Sequence, residues 1–226
     1  KVGVYAIIRT QTLMFPPGYG GANWGDDLLL WVAAATMIVG VIGAIAQDDM
    51  KRILAFHIIS QIGYMIMGLG LFTVVGVAAA VFYVIHHIVV KTALFLVAGL
   101  VDHRAGSSRL SSVGGLVRTA PVIAALFAVP ALSLAGLPPF SGFLAKFALV
   151  DAGLSQGSSA IVAVALAVGL FTLFSMTKIW TGAFWGSAET EPERAPQTTD
   201  RFGGPPLMVL ATLSLVAISI SFSVWA

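Results

Sequence analysis

Charged residues are scarce in this sequence. Lys, Arg, Asp and Glu together make up 10% of its 226 residues, whereas hydrophobic residues make up 58%. Soluble domains usually carry about 25% charged residues, and the mean hydropathy of +0.95 shows that neutral polar groups do not replace the missing charge. A soluble core cannot hide so much apolar surface from water, so lipid must surround most of it. The net charge of +2 gives no indication of a nucleic-acid partner.

Cysteine is absent, and this excludes disulfides, thiolate chemistry, iron–sulfur ligation and Cys-based zinc sites within the chain. No Asp or Glu lies deep in an apolar run, and the histidines do not form a ligand set. Because hard cations prefer carboxylate oxygens, we expect no metal site. The sequence also contains no cofactor-binding motif, so we expect no cofactor.

Long, continuous apolar runs predict an all-α polytopic membrane protein, because a spanning helix needs about 20 apolar residues and a transmembrane barrel would show alternating segments instead. The run that begins at Lys1 starts abruptly, without an initiator Met or a leader pattern. We therefore expect a fragment of a larger protein, with one truncated helix and about six complete ones in a single membrane domain, 1–226. The approximate spans are 1–15, 28–46, 50–72, 73–100, 121–150, 158–186 and 205–225.

The distribution of basic residues predicts the orientation. The loops 47–51, 102–118 and 187–204 fall on one side of the alternating spans, and that side holds seven Lys and Arg residues when Arg52, next to the first loop, is included, whereas the opposite loops hold none. Short loops rich in Lys and Arg stay in the cytoplasm. We therefore predict that these three loops are cytoplasmic. Arg9 does not fit this distribution, and we expect it either to extend to the far interface or to lie against the segment that we expect upstream of Lys1.

The run 121–150 predicts a broken helix. It contains Gly136, Pro138, Pro139 and Gly142 in close succession, and two adjacent prolines remove two backbone donors. As one straight helix the run would be about 45 Å long, well beyond a hydrocarbon core of about 30 Å. Irregular backbone at membrane depth survives only where it is buried or lines a cavity, and transporters place ion sites there. A simple packing kink is the alternative, but it leaves Lys146 without a reason to lie so deep.

Ionisable side chains also lie inside the apolar runs, where a charge costs at least a few kcal/mol. His87 and Lys91 are four residues apart and share one helix face. Burial and a neighbouring cation both favour a neutral lysine, and histidine titrates near neutral pH. We therefore predict a proton relay through Lys1, His87, Lys91 and Lys146. For Lys178, near the end of its span, extension to the membrane surface is an equal alternative.

Three further polar residues, His86, His57 and Gln61, are candidates for a secondary role in the relay or for holding water. His86 points about 100° away from His87 and could simply bond to a neighbouring helix, and for His57 a structural hydrogen bond is the favoured interpretation. Gln61 can only form hydrogen bonds or hold water, because it does not titrate. The buried lysines have no carboxylate among them, so either they are often neutral or a carboxylate comes from elsewhere.

Four segments resemble one family closely: KVGVYAIIR at Lys1–Arg9, QDDMKRILAFHIISQIGY at Gln47–Tyr64, FYVIHHIVVKTALFLVAG at Phe82–Gly99 and LSLAGLPPFSGFLAK at Leu132–Lys146. They are similar in order and spacing to the antiporter-like subunits shared by respiratory complex I and the Mrp-type Na+/H+ antiporters. The HHIVVKTALF run looks most like the D-type subunits of bacterial Mrp antiporters. Complex I subunits commonly have a histidine where Gln61 stands, which also favours the Mrp class.

The resemblance implies an intact subunit of about fourteen helices, with two inverted five-helix repeats that each contain a broken helix. This chain would carry the second repeat and the last helix. Lys1 would be the central lysine that joins two half-channels, His87 and Lys91 would continue the hydrophilic axis, and Lys146 would be its terminal charged residue. A glutamate–lysine pair of the first repeat would supply the missing carboxylate from upstream.

The function hypotheses follow from the relay and from the resemblance. The first is a proton-conducting subunit of a monovalent cation (Na+)/proton antiporter, which is a secondary transporter and not an enzyme. We expect this subunit to belong to a multi-subunit complex of a bacterial cell membrane. Protons, monovalent cations and lipid would be its ligands. The alternative is a proton-pumping membrane subunit of complex I or a membrane-bound hydrogenase, with the redox chemistry in its partners. A purely structural subunit is a third, weaker hypothesis, because it gives Lys91 and Lys146 no purpose.

Overall fold

The structure is a computed structural model that describes residues 1–14, 24–187 and 204–225, and it shows only helices as regular elements over those ranges. Helices α1 to α5 are Val2–Met14, Trp24–Ile45, Met50–Gly70, Val74–Ala105 and Leu116–Thr119, and α6 to α9 are Pro121–Ala135, Ser141–Ser155, Ser159–Ile179 and Pro206–Trp225. A 3₁₀ turn, Leu110–Ser112, precedes α5, and a π-helix, Trp180–Trp185, continues α8. Among the described residues, five helices are long and apolar enough to cross a membrane. The prediction of an all-α polytopic membrane protein is confirmed.

Two apolar clusters fill the interior, and they lie at different heights along the helices. One contains the first turns of α3, the second half of α4 and most of α6. The other contains the second half of α3, the first half of α4 and most of α7. Buried polar side chains lie at the height where the clusters meet, and this layer comprises His57, Ser60, Gln61, His86, His87, Ser133, Ser141, Thr172 and Ser175. We call these residues the polar belt.

The predicted broken helix is present, and its break lies at the height of the polar belt. Helix α6 ends at Ala135, and α7 begins at Ser141. Gly136 ends α6 in the left-handed region at φ 86°, a conformation that costs other residues about 1–2 kcal/mol. Gly142 allows a close approach instead, because a Cβ there would overlap the Ser133 carbonyl and lie 3.1 Å from His86 Nε2. Both glycines are therefore required by the geometry of the break.

The connection between α2 and α3 packs against the segment between α4 and α5. Met50 N donates to Ser108 O at 2.9 Å, Leu110 N donates to Asp48 O at 2.8 Å, and Lys51 pairs with Asp102 at 2.5 Å. Two of the loops that carry the basic residues therefore share one end of the bundle. Most of the third loop, 188–203, lies outside the described residues, and the cytoplasmic location of this end stays a prediction.

We predict that Gly136→Ala destabilises the protein more than Gly157→Ala does. Gly157 also has a positive φ of 73°, but a Cβ there would meet nothing within 4 Å, whereas a Cβ at Gly136 would lie 2.7 Å from Lys146 Cδ. Gly157→Ala should cost about 1–2 kcal/mol through backbone strain alone, and Gly136→Ala should add the displacement of the lysine. Thermal unfolding of the full-length protein in detergent measures both. Equal losses would contradict the contact with Lys146.

Candidate functional site

Lys91 lies near the middle of α4 and is 5% exposed. Its ammonium group donates to the Leu54 carbonyl of α3 at 2.7 Å, and it lies 5.9 Å from the centroid of the Phe95 ring. No carboxylate within the described ranges pairs with it. A backbone carbonyl and a ring face this lysine, so no opposite charge of the described residues fixes it in the protonated form.

Lys146 occupies the helix break. Its ammonium group donates to the carbonyls of Leu134 and Ala135 at 3.0 and 3.1 Å, and it lies 4.9 Å from the centroid of the Tyr64 ring. The last carbonyls of a helix lack partners within the helix and carry the negative end of its dipole. The break in α6 therefore places a partial negative charge against Lys146 at membrane depth, where a carboxylate would otherwise be needed.

Lys1 lies at the start of α1, which contacts α3. Its ammonium group donates to the sulfur of Met65 at 3.3 Å, and a thioether is a weak acceptor. The side chain is half-buried. This third lysine is thus also held by a neutral group.

His86 connects α4 to the break. Its Nδ1 lies 2.9 Å from Ser141 Oγ, and the Ser141 amide donates to Ser223 Oγ of α9 at 2.8 Å. Ser141 Oγ also lies 3.5 Å from Ser133 Oγ. His86 therefore forms the bond to a neighbouring helix that the sequence allowed, and it does so at the first residue of α7.

His57 and His87 are buried, and none of their four ring nitrogens has a partner among the described residues. No polar group of the neighbouring described helices reaches the His57 ring, so the structural hydrogen bond that we favoured for His57 stays a prediction. Buried polar atoms nearly always bond to protein or to water. Water is then the expected partner of these nitrogens, and of the unpaired Nε2 of Gln61.

Two tyrosines that the sequence analysis missed complete the polar belt. Tyr83 donates to Gln61 Oε1, and its ring stacks on His86 with centroids 5.5 Å apart. Tyr64 donates to the Ala165 carbonyl at 2.5 Å. Their helical spacing was the available signal, because Tyr83 precedes His87 by one turn and Tyr64 follows Gln61 by nearly one.

Electrostatic repulsion links the ionisable groups into a series. Lys1 acts on both His87 and Lys91. His57 is influenced by Lys91 on one side and by Lys146 on the other, and Lys146 also acts on His86. The structure therefore brings the predicted relay residues into one interior, and His57 lies close enough to both Lys91 and Lys146 to interact with each of them.

Lys178 has a different role. Its ammonium group donates to Ile45 O, Gln47 O and Asp48 Oδ1 at 3.1, 2.8 and 2.7 Å. It therefore holds the end of α8 against the end of α2 instead of extending freely to the membrane surface. Unlike Lys1, Lys91 and Lys146, Lys178 reaches a carboxylate, and it lies outside the polar belt.

A bundle of apolar helices that encloses several ionisable residues at a helix break defines a multi-pass membrane protein with a hydrophilic interior. The profile of the family described as "NADH:quinone oxidoreductase/Mrp antiporter, TM" matches residues 1–177. The chain belongs to this family, and the predicted resemblance is confirmed.

Individual relatives agree with this assignment. The D-type subunit of the Na(+)/H(+) antiporter of Alkalihalophilus pseudofirmus is 48% identical over 97% of this chain and 43% of its own length. The structure of the Mrp complex from a Dietzia species superposes with a TM-score of 0.84 at 35% identity, covering 99% of this chain and 48% of the matched chain. An archaeal membrane-bound sulfane sulfur reductase matches at 27% identity and a TM-score of 0.79, covering 88% and 32%. The chain thus spans less than half the length of these relatives.

We predict that Lys91→Met leaves the protein as stable as the wild type, within about 1 kcal/mol, or makes it more stable. A methionine removes a buried ammonium group that only neutral groups face among the described residues, and such replacements are often neutral or stabilising. Lys178→Met is the control, and it should lower stability by about 1 kcal/mol, because it breaks an ion pair and uncovers helix-end carbonyls. Chemical or thermal unfolding in detergent measures both. A loss of about 3 kcal/mol in Lys91→Met would mean that this lysine holds the fold together.

Proposed function

We propose that this chain forms part of a proton-conducting subunit in a monovalent cation/proton antiporter complex of a bacterial cell membrane, with sodium as the first cation to test. The observation that carries the proposal is the series of buried ionisable groups without a carboxylate among the described residues. Lys1, His87, Lys91, His57 and Lys146 lie in the same interior, and each lysine is held by a neutral group.

The absence of fixed counter-ions from the described part of the interior makes a proton transferable. A carboxylate would hold each lysine protonated, whereas carbonyl dipoles stabilise the ammonium form only in part. Because neighbouring cations repel each other, protonation of one lysine favours deprotonation of the next. A proton that reaches Lys91 would thus promote transfer through His57 towards Lys146, with water bridging the unpaired ring nitrogens.

Lys146 would be the terminal site of this path. The last carbonyls of α6 and the Tyr64 ring surround its ammonium group. The helix break would serve the path indirectly, because it creates the C-terminus of α6 to which Lys146 donates its hydrogen bonds. The residues of this break are Gly136, Pro138, Pro139 and Gly142. His86 and Gln61 would hold water beside the path.

The relatives support the cation exchange and the multi-subunit setting. The relative from Alkalihalophilus pseudofirmus is a subunit of a Na(+)/H(+) antiporter, and the matched chain from the Dietzia species belongs to an Mrp complex. We propose that the other half of the subunit and the partner subunits complete the path and select the cation. The loops 47–51, 102–118 and 187–204 would face the cytoplasm.

A redox-driven proton pump is the second candidate. The match to an archaeal respiratory membrane complex favours it, although that match is weaker in sequence than the Mrp match. In this case the same lysine series would respond to partners that carry the electron transfer.

The test uses everted membrane vesicles that contain the full-length protein with its native partners, in a host without its own antiporters. A proton gradient is imposed, sodium is added without an electron donor, and a pH-sensitive dye reports the gradient. We expect sodium to collapse the gradient, and we expect Lys146→Ala to abolish this response. The matched control is Lys51→Gln, which removes a lysine of the surface ion pair and should leave exchange near the wild-type rate.

Three outcomes separate the hypotheses. Wild-type exchange in Lys146→Ala would remove that lysine from the path. The proton gradient could stay unchanged when sodium or any other monovalent cation is added, and form when NADH or another electron donor is supplied. That result would assign the protein to the redox-driven class. Equal loss of exchange in Lys51→Gln and Lys146→Ala would contradict a specific role for the buried lysine.

A further inference from the structure

An apolar groove lies where α6 packs beside α8, and a polar pocket lies next to it, between the segment that precedes α6 and the end of the π-helix. The groove has a volume of about 330 Å³ and is lined by side chains that include Ala128, Leu132, Met176 and Trp180. The pocket has a volume of about 710 Å³ and is lined by Gly114, Gly115, Arg118, Gly186 and other residues. Trp185 lines both, so the two spaces adjoin each other at this side chain.

The polar pocket carries positive charge without a described counter-ion. Arg118 is exposed, and no described carboxylate pairs with its guanidinium group. Arg104 lies nearby, because its guanidinium group donates to the carbonyl of Thr119 at 3.3 Å. None of the described residues that line the pocket is acidic. Guanidinium groups bind phosphate through paired, charge-assisted hydrogen bonds.

The depth of the groove matches one leaflet of a bilayer. Arg118 lies just before the start of α6 at Pro121, and Leu132 lies roughly 16 Å further along that helix at 1.5 Å per residue. Half of a hydrocarbon core is about 15 Å. Trp185 is 67% exposed at the open end, and exposed tryptophans are typical of the membrane–water interface.

We propose that the adjoining pocket and groove bind one anionic phospholipid, with its phosphate at Arg118 and one acyl chain in the groove between α6 and α8. A molecule that fills both spaces must have a negatively charged head at the interface and an apolar tail in the core. The groove at the opposite end of the bundle is a useful contrast, because Asp27 lines it and would repel an anionic head group. The site uses none of the relay residues, so the proposal stands independently of the proposed function.

The test measures lipid binding to the full-length protein, purified with its native partners and washed with detergent. The probes are dioleoylphosphatidylglycerol and dioleoylphosphatidylcholine, and native mass spectrometry counts the bound lipids. We expect Arg118→Gln to weaken phosphatidylglycerol binding about fivefold, because one basic residue near the surface contributes that much attraction. Phosphatidylcholine binding should change less. Arg52→Gln, which removes an exposed arginine of the same end outside the pocket, should change neither.

A second variant tests the acyl-chain part. Ala128→Phe should fill the groove and lower binding of both lipids, whereas Ala35→Phe, on an exposed part of α2, should not. Unfolding temperatures identify any variant that has lost its fold, and Arg118→Gln provides a test that does not disturb packing. Unchanged phosphatidylglycerol binding in Arg118→Gln would overturn the proposal. Cross-linking of Ala128→Cys to a partner subunit would also overturn it, since a protein segment would then occupy the groove.

Discussion

The hydrogen bonds from Lys146 to the last two carbonyls of α6 are the interaction on which the interior depends. An ammonium group at this depth needs negative partners, and the chain supplies backbone dipoles because α6 ends there. The amides of Gly136 and Leu137 bond to the Leu132 and Ser133 carbonyls, and these bonds leave the Leu134 and Ala135 carbonyls to the lysine. The glycine that ends the helix and the lysine that covers its end therefore require each other.

The polar belt follows from the same break. Unwound backbone inside a membrane exposes amides that need partners, and α9 provides one of them through Ser223, which accepts the bond from the first amide of α7. Ser141 then presents its hydroxyl to His86, so the break also orients a side chain of α4. The two apolar clusters close above and below this layer. The fold thus confines its polar groups to one height and keeps lipid-compatible packing elsewhere.

The sequence predicted the features that depend on residue type and spacing. The apolar runs indicated the helices, the Gly-Pro cluster indicated the break, and the spacing of His87 and Lys91 indicated a shared face. It could not predict the partners of Lys146 and Lys91, because these are backbone carbonyls that no residue type encodes. The predicted fourth span ends at residue 100, whereas α4 continues to Ala105. The charged residues Asp102, His103 and Arg104 suggested that a loop begins there, although basic residues also stabilise the C-terminus of a helix.

Gln61 supplies hydrogen bonds to the polar belt without adding a titratable group to it. Its carbonyl oxygen accepts the hydroxyl of Tyr83, and this bond leaves its NH₂ group to face the belt as a donor. A histidine at this position could also combine one donor with one acceptor, but it could take up a proton as well. Lys1, Lys91 and Lys146 already repel the imidazoles around them, and no carboxylate of the described residues offsets that repulsion. A side chain that cannot titrate therefore supplies the hydrogen bonds of a histidine without adding a further positive charge beside His57.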